Sequence, residues 1–291
     1  MKKLLITGAS GFLGWHLCEL ASKKWDVYGT YFSHSLKIPE TKLVKVDLTD
    51  FAELKRVFQE IQPSAVIHTA ALSQPNYCQT HQEESLLINV RASLNIAGLC
   101  ADNSIPCVFT STDLVFDGVK GYYQETDSVN PVNIYGEHKV MAEVGMLECY
   151  PQAAICRMPL MFGDATPKAT SFLQSFIKTL QEGKELKLFT DEFRTPVNGK
   201  TAAEGLLFAL EKVQGIIHLG GKERISRYNF GRLLVEIFEI PNAKITATEQ
   251  KYLKMVAPRA SDVSLDSSKA FELGYAPLSL QEQLMSVSSK Q

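Results

Sequence analysis

Tyr135 and Lys139 stand four residues apart, so a helix running through them would place a phenol and an ammonium on one face. A phenol titrates near pH 10 and is a poor acid or base at neutral pH. A cation about 4 Å away, at an effective dielectric near 20, is worth roughly 4 kcal/mol, or about three pKa units, which would bring the phenol into a useful range. A third hydroxyl is needed to fix a substrate oxygen. Thr112 in Phe109-Thr110-Ser111-Thr112-Asp113 supplies one, with Ser111 as its rival and a local backbone-bonding device as the plainer reading.

A second constellation lies near the N-terminus, where Gly8, Gly11 and Gly14 join the apolar run Leu4-Leu5-Ile6-Thr7 to an amphipathic stretch. Strand, glycine turn and helix leave backbone N–H groups bare at a helix N-terminus, where the helix dipole attracts a pyrophosphate. Gly8, Ser10, Gly11, Phe12, Leu13 and Gly14 are therefore expected to cradle a dinucleotide. Combined with Tyr135 and Lys139, they predict a nicotinamide-dependent enzyme acting on a carbonyl or alcohol. The spacing Gly-x-x-Gly-x-x-Gly resembles that of short-chain dehydrogenases/reductases.

These groups need a scaffold. Apolar runs at Lys3 to Thr7, Val27 to Phe32, Leu43 to Val46, Ala65 to His68, Pro106 to Ser111 and Ala153 to Arg157 alternate with helical patterns. Short apolar strands of this kind predict an α/β fold, a Rossmann-like doubly wound parallel sheet covered on both faces. Thr112 would then project at the carboxyl edge of the sheet beside the glycine loop. Beyond Pro159 the rhythm changes, with helices predicted at Ser171 to Glu182, Thr201 to Lys212 and Tyr228 to Phe238, and strands at Leu186 to Phe189 and Ile216 to Leu219. This divides the chain into a cofactor-binding domain, 1–160, and a smaller C-terminal α/β substrate lobe, 161–291, partly interleaved with the sheet.

The chain has 291 residues, 45% apolar content and a formal net charge of -2, enough for a sizeable core and without a long basic stripe. Nucleic acid and an anionic membrane are thereby excluded as general partners. The apolar run after Met1-Lys2-Lys3 ends at Thr7-Gly8, far short of a secretion signal, so a cytoplasmic location is expected. No stretch reaches the roughly 18 apolar residues of a membrane span. Six scattered cysteines without Cys-x-x-Cys give neither a metal pattern nor a disulfide framework. Leu86, Leu87, Val90 and Leu94, within Glu83 to Cys100, have two readings: a homodimer contact or plain core.

Cofactor preference turns on the second strand. Val27 to Phe32 ends without the carboxylate that would bind ribose hydroxyls and select NADH, whereas Ser33, His34, Ser35 and Lys37 offer donors to a 2'-phosphate. NADPH is the preferred cofactor on this reading, with NADH and a merely solvated loop as alternatives. His68 is assigned to a strand end. Thr69, Ala70 and Ala71 are small where backbone must approach a ribose, or where packing is tight.

Over nearly its whole length the chain resembles the extended short-chain dehydrogenases/reductases, and among them the dTDP-4-dehydrorhamnose reductase type. Ser111-Thr112-Asp113-x-Val115-Phe116-Asp117-Gly118, Glu125-Thr126-Asp127, Pro131-x-Asn133-x-Tyr135-Gly136-x-x-Lys139 and Ala142-Glu143 carry the resemblance. It implies reduction of a 4-keto sugar nucleotide, with Tyr135 as proton donor, Thr112 orienting the oxygen and Lys139 tuning the phenol and gripping the cofactor. It also implies that Asp47 and Leu48 hold the adenine, although Asp47 would equally open a turn capped by Thr49 or Asp50. Leu114 stands where the related dehydratases place a second acid, which argues against water elimination.

The resemblance further assigns Asp113, Arg194 and Arg259 to the substrate, Arg194 pairing with a diphosphate unless it sits in a solvated turn. Pro258-Arg259 reverses the Arg-Pro order usual in the family. Two other functions share the pattern: a non-catalytic dinucleotide-binding regulator like the beta subunit of methionine adenosyltransferase, and a sugar-nucleotide epimerase.

Overall fold

The computed structural model describes residues 1–33, 36–167 and 169–288; His34 and Ser35, invoked above for a 2'-phosphate, lie outside them. Its first part runs β1 (Lys3–Thr7), α1 (Phe12–Ala21), β2 (Asp26–Tyr31), β3 (Thr41–Lys45), α2 (Phe51–Ile61), β4 (Ala65–His68) and α3 (Pro75–Thr80). It continues through α4 (Gln82–Leu86), α5 (Ala92–Asn103), β5 (Cys107–Thr112), α6 (Ile134–Cys149) and β6 (Ala154–Met158). The strands form a seven-stranded sheet in the order Gly215–His218, β6, β5, β4, β1, β2, β3, and every neighbouring pair is parallel. β1 lies between β2 and β4, so the winding reverses there and a crevice opens at the carboxyl ends of β1 and β4.

Alternation along β1 shows how the layers form. Leu4 and Ile6 face a core shared with Leu13 and Leu17 of α1, and with Ala202 and Leu206 of the helix Gly199–Lys212. Leu5 faces the opposite core, with Leu54 and Val57 of α2, Ile96 of α5, and Ala142 and Met146 of α6. Burial on both faces is why these strands read as continuous apolar runs. Between α4 and α5 the chain takes a π turn, Leu87–Arg91. Val90 there is buried and Leu94 packs on the second core, while Leu87 remains exposed.

The later chain builds a lobe around Phe162, Leu173, Phe230 and Leu284. Its helix Phe172–Gln181 begins with a reciprocal cap between Ser171 and Gln174, and the strands Leu186–Phe189 and Ile245–Thr248 pair in parallel. It is not a separate ball. The helix Gly199–Lys212 packs on α1, and the strand Gly215–His218 adds to the sheet beside β6.

A second joint forms where Asp117-Gly118 meets residues 260–262. Gly118 has φ +80°, and a Cβ there would lie 2.6 Å from the backbone nitrogen of Ser261. Gly118 and Tyr123 thus serve the contact between lobes: the Asp262 amide donates to the Gly118 carbonyl at 3.0 Å and the Tyr123 amide to that of Ser264 at 2.8 Å.

Candidate active site

The glycine turn is shaped by contact. Gly8 has φ +70°, and a Cβ on it would sit 2.7 Å from the Ala70 Cα; a Cβ on Gly14 would lie 2.1 Å from the Gly8 carbonyl oxygen. Side chains at either place would fill the space between β1, α1 and β4. Gly11 precedes α1 without any side-chain cap, so the first amides of the helix are left for a ligand. Thr7 ties the floor together: its hydroxyl lies 2.6 Å from His68 Nδ1 and accepts from the amides of Thr69 and Ala70 at 3.1 and 3.2 Å. His68 is a buried strand-end residue whose imidazole burial pushes down to about 3, a neutral structural group.

Above this floor lies a cleft of about 610 Å³. Gly8, Ser10, Gly11, Phe12, Leu13, Gly14, Asp47, Leu48, Thr69, Ala70 and Ala71 line one end and Tyr135 and Lys139 the other. Asp47 lines the cleft and opens the turn read for it. Its side chain accepts from the amide and hydroxyl of Thr49 at 2.9 and 2.6 Å, closing a turn at the cleft wall, while Asp50 caps α2.

Tyr135 and Lys139 reach the cleft because α6 starts where it does. Asn133 caps the helix by accepting from the Gly136 amide at 3.0 Å. Gly136 lets the helix approach the segment after Thr112, since a Cβ there would meet the Leu114 carbonyl oxygen at 2.3 Å. The Thr112 hydroxyl lies near the Tyr135 phenol, accepts from the Leu114 amide at 3.2 Å and donates to Asp113 at 3.2 Å. Lys139 Nζ donates to the Thr110 carbonyl at 2.9 Å and lies 4.5 Å from the Phe109 ring centroid and 5.9 Å from that of Tyr135.

The electrostatics differ from the expectation of an acidified phenol. Burial pushes the Tyr135 phenol up, with Cys78 and Asp113 adding to the rise and the Thr112 hydroxyl opposing it. Lys139 is itself buried, and desolvation pulls its ammonium down to about 7. A sequence-based Coulomb argument counts the attraction and omits the cost of taking both groups out of water. Tyr135 is therefore held as a protonated acid, which is the form a proton donor needs.

Asp113 and Arg194 are brought together, and the contact is internal. Arg194 Nη1 lies 3.0 Å from Asp113 Oδ2, Nη2 lies 3.6 Å from Glu192 Oε1, and the guanidinium is buried. Burial raises the Asp113 carboxyl despite Arg194, and Asp113 with Glu192 holds Arg194 above its ordinary value against the opposing effect of burial. Arg259 reaches Glu192 at 3.5 Å and remains partly exposed. Neither arginine lines the cleft described above; both stand at the lobe side of Thr112 and Asp113. Arg227, which the sequence pattern did not single out, joins them: it lies 3.9 Å from Glu192 and over the Phe172 ring at 4.0 Å.

A family model described as the RmlD substrate binding domain matches residues 1–290. The chain belongs to that family. It is an extended short-chain dehydrogenase/reductase of the dTDP-4-dehydrorhamnose reductase type. A solved structure titled as a hypothetical dTDP-4-dehydrorhamnose reductase from Sulfolobus tokodaii is 34% identical, covers 94% of each chain and superposes with a TM-score of 0.83. A dTDP-4-dehydrorhamnose reductase from Bacillus anthracis, solved in complex with NADP, shares the fold at a TM-score of 0.89 over the whole of both chains, at 22% identity. Methionine adenosyltransferase 2 subunit beta of Danio rerio is 28% identical over 94% of this chain and 85% of its own.

In this member of the RmlD family further residues line the cleft beside those assigned to cofactor and catalysis from the sequence. Thr110 presents its carbonyl to Lys139, and Ser111 lines the wall with its hydroxyl turned to Glu143. Met158 at the end of β6 and Met161 just beyond it contribute, as do Glu84 of α4 and Leu87 and Ile88 of the π turn. Glu84 and Ile88 carry no readable signal, and Leu87 reads only as a dimer-contact or core position, because a π turn has no sequence signature comparable to a glycine motif.

Proposed function

We propose that the protein is an NAD(P)H-dependent reductase of a 4-keto sugar nucleotide, most like dTDP-4-dehydrorhamnose reductase, with NADPH as the preferred cofactor. Residues 1–160 bind the dinucleotide and 161–291 cover the substrate, with the late strand and helix shared. The observation that carries the reading is the placement of Tyr135 and Lys139 on the same cleft as the bare N-terminus of α1 and its glycine turn. The residues fit a dinucleotide: Gly8 and Gly14 let β1, β4 and α1 close on one another so that the turn opens onto the cleft, and the amides after Gly11 have no capping side chain.

When bound, the nicotinamide dinucleotide supplies a hydride to the carbonyl carbon. The protein handles the oxygen. Thr112 and Tyr135, near each other, form a pair of hydroxyls for the substrate oxygen, and Tyr135 gives its proton to the alkoxide as charge develops. Lys139, in its ammonium form, stabilises the phenolate left behind and holds the ribose of the cofactor. Asp113, Arg194 and Arg259 form the substrate side of the site, with Arg194 held in place by its carboxylate partners.

NADPH oxidation with a panel of 4-keto sugar nucleotides, comparing the wild type with Tyr135→Phe, tests the proposal. Turnover with at least one ketone that Tyr135→Phe loses is expected. The likeness to the methionine adenosyltransferase subunit favours a second reading, a regulator that binds dinucleotide and a protein partner. Failure of every ketone, together with cofactor-dependent capture of an adenosyltransferase catalytic subunit, would replace the first reading with the second.

A further inference from the structure

Glu143 has no task in the reaction just described, yet it is buried one helical turn beyond Lys139 on α6 and bonded on two sides. It accepts the hydroxyl proton of Ser111, next to last in β5. It also receives Arg157 of β6, with Nε 3.1 and 3.3 Å from its two oxygens and Nη2 at 2.8 Å. Apolar residues of the same volume would join a helix to a strand at no loss of stability, so a buried ion pair here calls for another use. One side of this pair touches the cleft, because Ser111 lines it. With its proton directed at Glu143, Ser111 presents lone pairs to the cleft, and Thr112 is left as the hydroxyl that serves a substrate oxygen.

The larger effect falls on Lys139. The titratable groups that face it are Tyr135 and Glu143 on its own helix, Cys78 on α3 and His68 on β4. Burial keeps His68 neutral, raises the Cys78 thiol and raises the Tyr135 phenol, so none of these three is charged near neutral pH. Glu143 is the remaining anion among them. Arg157 holds it by fork-shaped contacts that fix the carboxylate within the apolar layer between α6 and the sheet.

We propose that Glu143 is a positioning residue of the site, anchored by Arg157 and Ser111, whose negative charge keeps Lys139 in its ammonium form. The use of that ammonium rests on the reductase reading; the charge itself does not.

The test is an NMR titration of protein labelled with 13C at lysine Cε, with Lys139→Met assigning the Lys139 signal. In Glu143→Gln the Lys139 midpoint is expected to fall by about one pH unit relative to wild type. Because that change strands the Arg157 guanidinium, whose bare charge would itself depress Lys139, the pair Glu143→Gln with Arg157→Met is titrated beside it, and a smaller fall in the same direction is expected. A wild-type midpoint in the folded pair would overturn the proposal. The measurement needs no turnover, so a protein inactive on every ketone that shows the fall keeps this inference and loses only the reductase reading.

Discussion

Lys139 Nζ is hydrogen-bonded at 2.9 Å to the carbonyl oxygen of Thr110, two residues ahead of Thr112, so the ammonium is anchored to the same strand that ends in the Thr112 hydroxyl. Desolvation brings this group down to about 7 in the cofactor-free protein. The neutral amine gains as pH rises through that value. Dinucleotide affinity is accordingly expected to weaken between about pH 6 and 8 in the wild type and to stay flat in Lys139→Met. Fluorescence titration of NADPH across that range is the measurement, and a flat wild-type profile would count against a binding role for the charge.

Removal of the phenolic oxygen should act on chemistry alone. Tyr135→Phe is expected to lower kcat by about 100-fold to 10,000-fold while leaving NADPH affinity within a few-fold. Steady-state kinetics paired with cofactor binding separate the two effects. Equal losses in both would mean that Tyr135 shapes the cleft and donates no proton.

The Gly8–Gly14 contact leaves no room for accommodation, since the obstacle to a Cβ at Gly14 is a backbone carbonyl 2.1 Å away. Gly14→Ala must push α1 off the turn that it closes. Loss of measurable NADPH binding is expected, together with a fall in thermal midpoint. Wild-type affinity in this variant would show that the helix N-terminus is not where the pyrophosphate rests.

Asn133 caps the helix that carries Tyr135 and Lys139 and also donates to the Pro258 carbonyl at 3.1 Å, a link to the later lobe. Asn133→Ala is expected to cost about 1 kcal/mol in a urea unfolding series. Tyr135 is the second residue of that helix, so kcat should fall as well. A stability loss with kcat untouched would place the cap among purely structural features.

Acid should weaken the fold through His68 and His218. Burial holds both at about 3, against roughly 6.5 in an unfolded chain. Between those values the unfolded state takes up a proton that the native state does not, so stability falls as pH drops, by about 1.4 kcal/mol per unit for each histidine. His68→Gln should remove one such increment from the slope measured between pH 6 and 4. An unaltered slope would mean that His68 already carries a proton in the native state.

Features governed by local sterics are legible in the chain itself. Gly8, Gly11 and Gly14 declare a turn by spacing, and Tyr135 and Lys139 share a face because a helix returns every 3.6 residues. Boundaries differ slightly: β5 extends to Thr112 and β3 runs Thr41–Lys45, since ladder pairing with neighbours sets where a strand ends. The long-range pairs are closed to such reading. Nothing near Glu143 points to Arg157, nor anything near Asp113 to Arg194, because a helix and two strands must first come together. The Tyr135 environment escapes the sequence for a related reason, since burial is a property of the packed fold and cannot be counted along the chain.

The strand Gly215–His218 pairs with β6 only after the chain from Pro159 to Gln214 has been made. Until that segment emerges from the ribosome, β6 is a naked apolar border with its amides and carbonyls free to capture another molecule. A polypeptide stopped near residue 160 would thus be expected to clump rather than behave as a small stand-alone nucleotide module, and the hazard passes once the last strand zips into place.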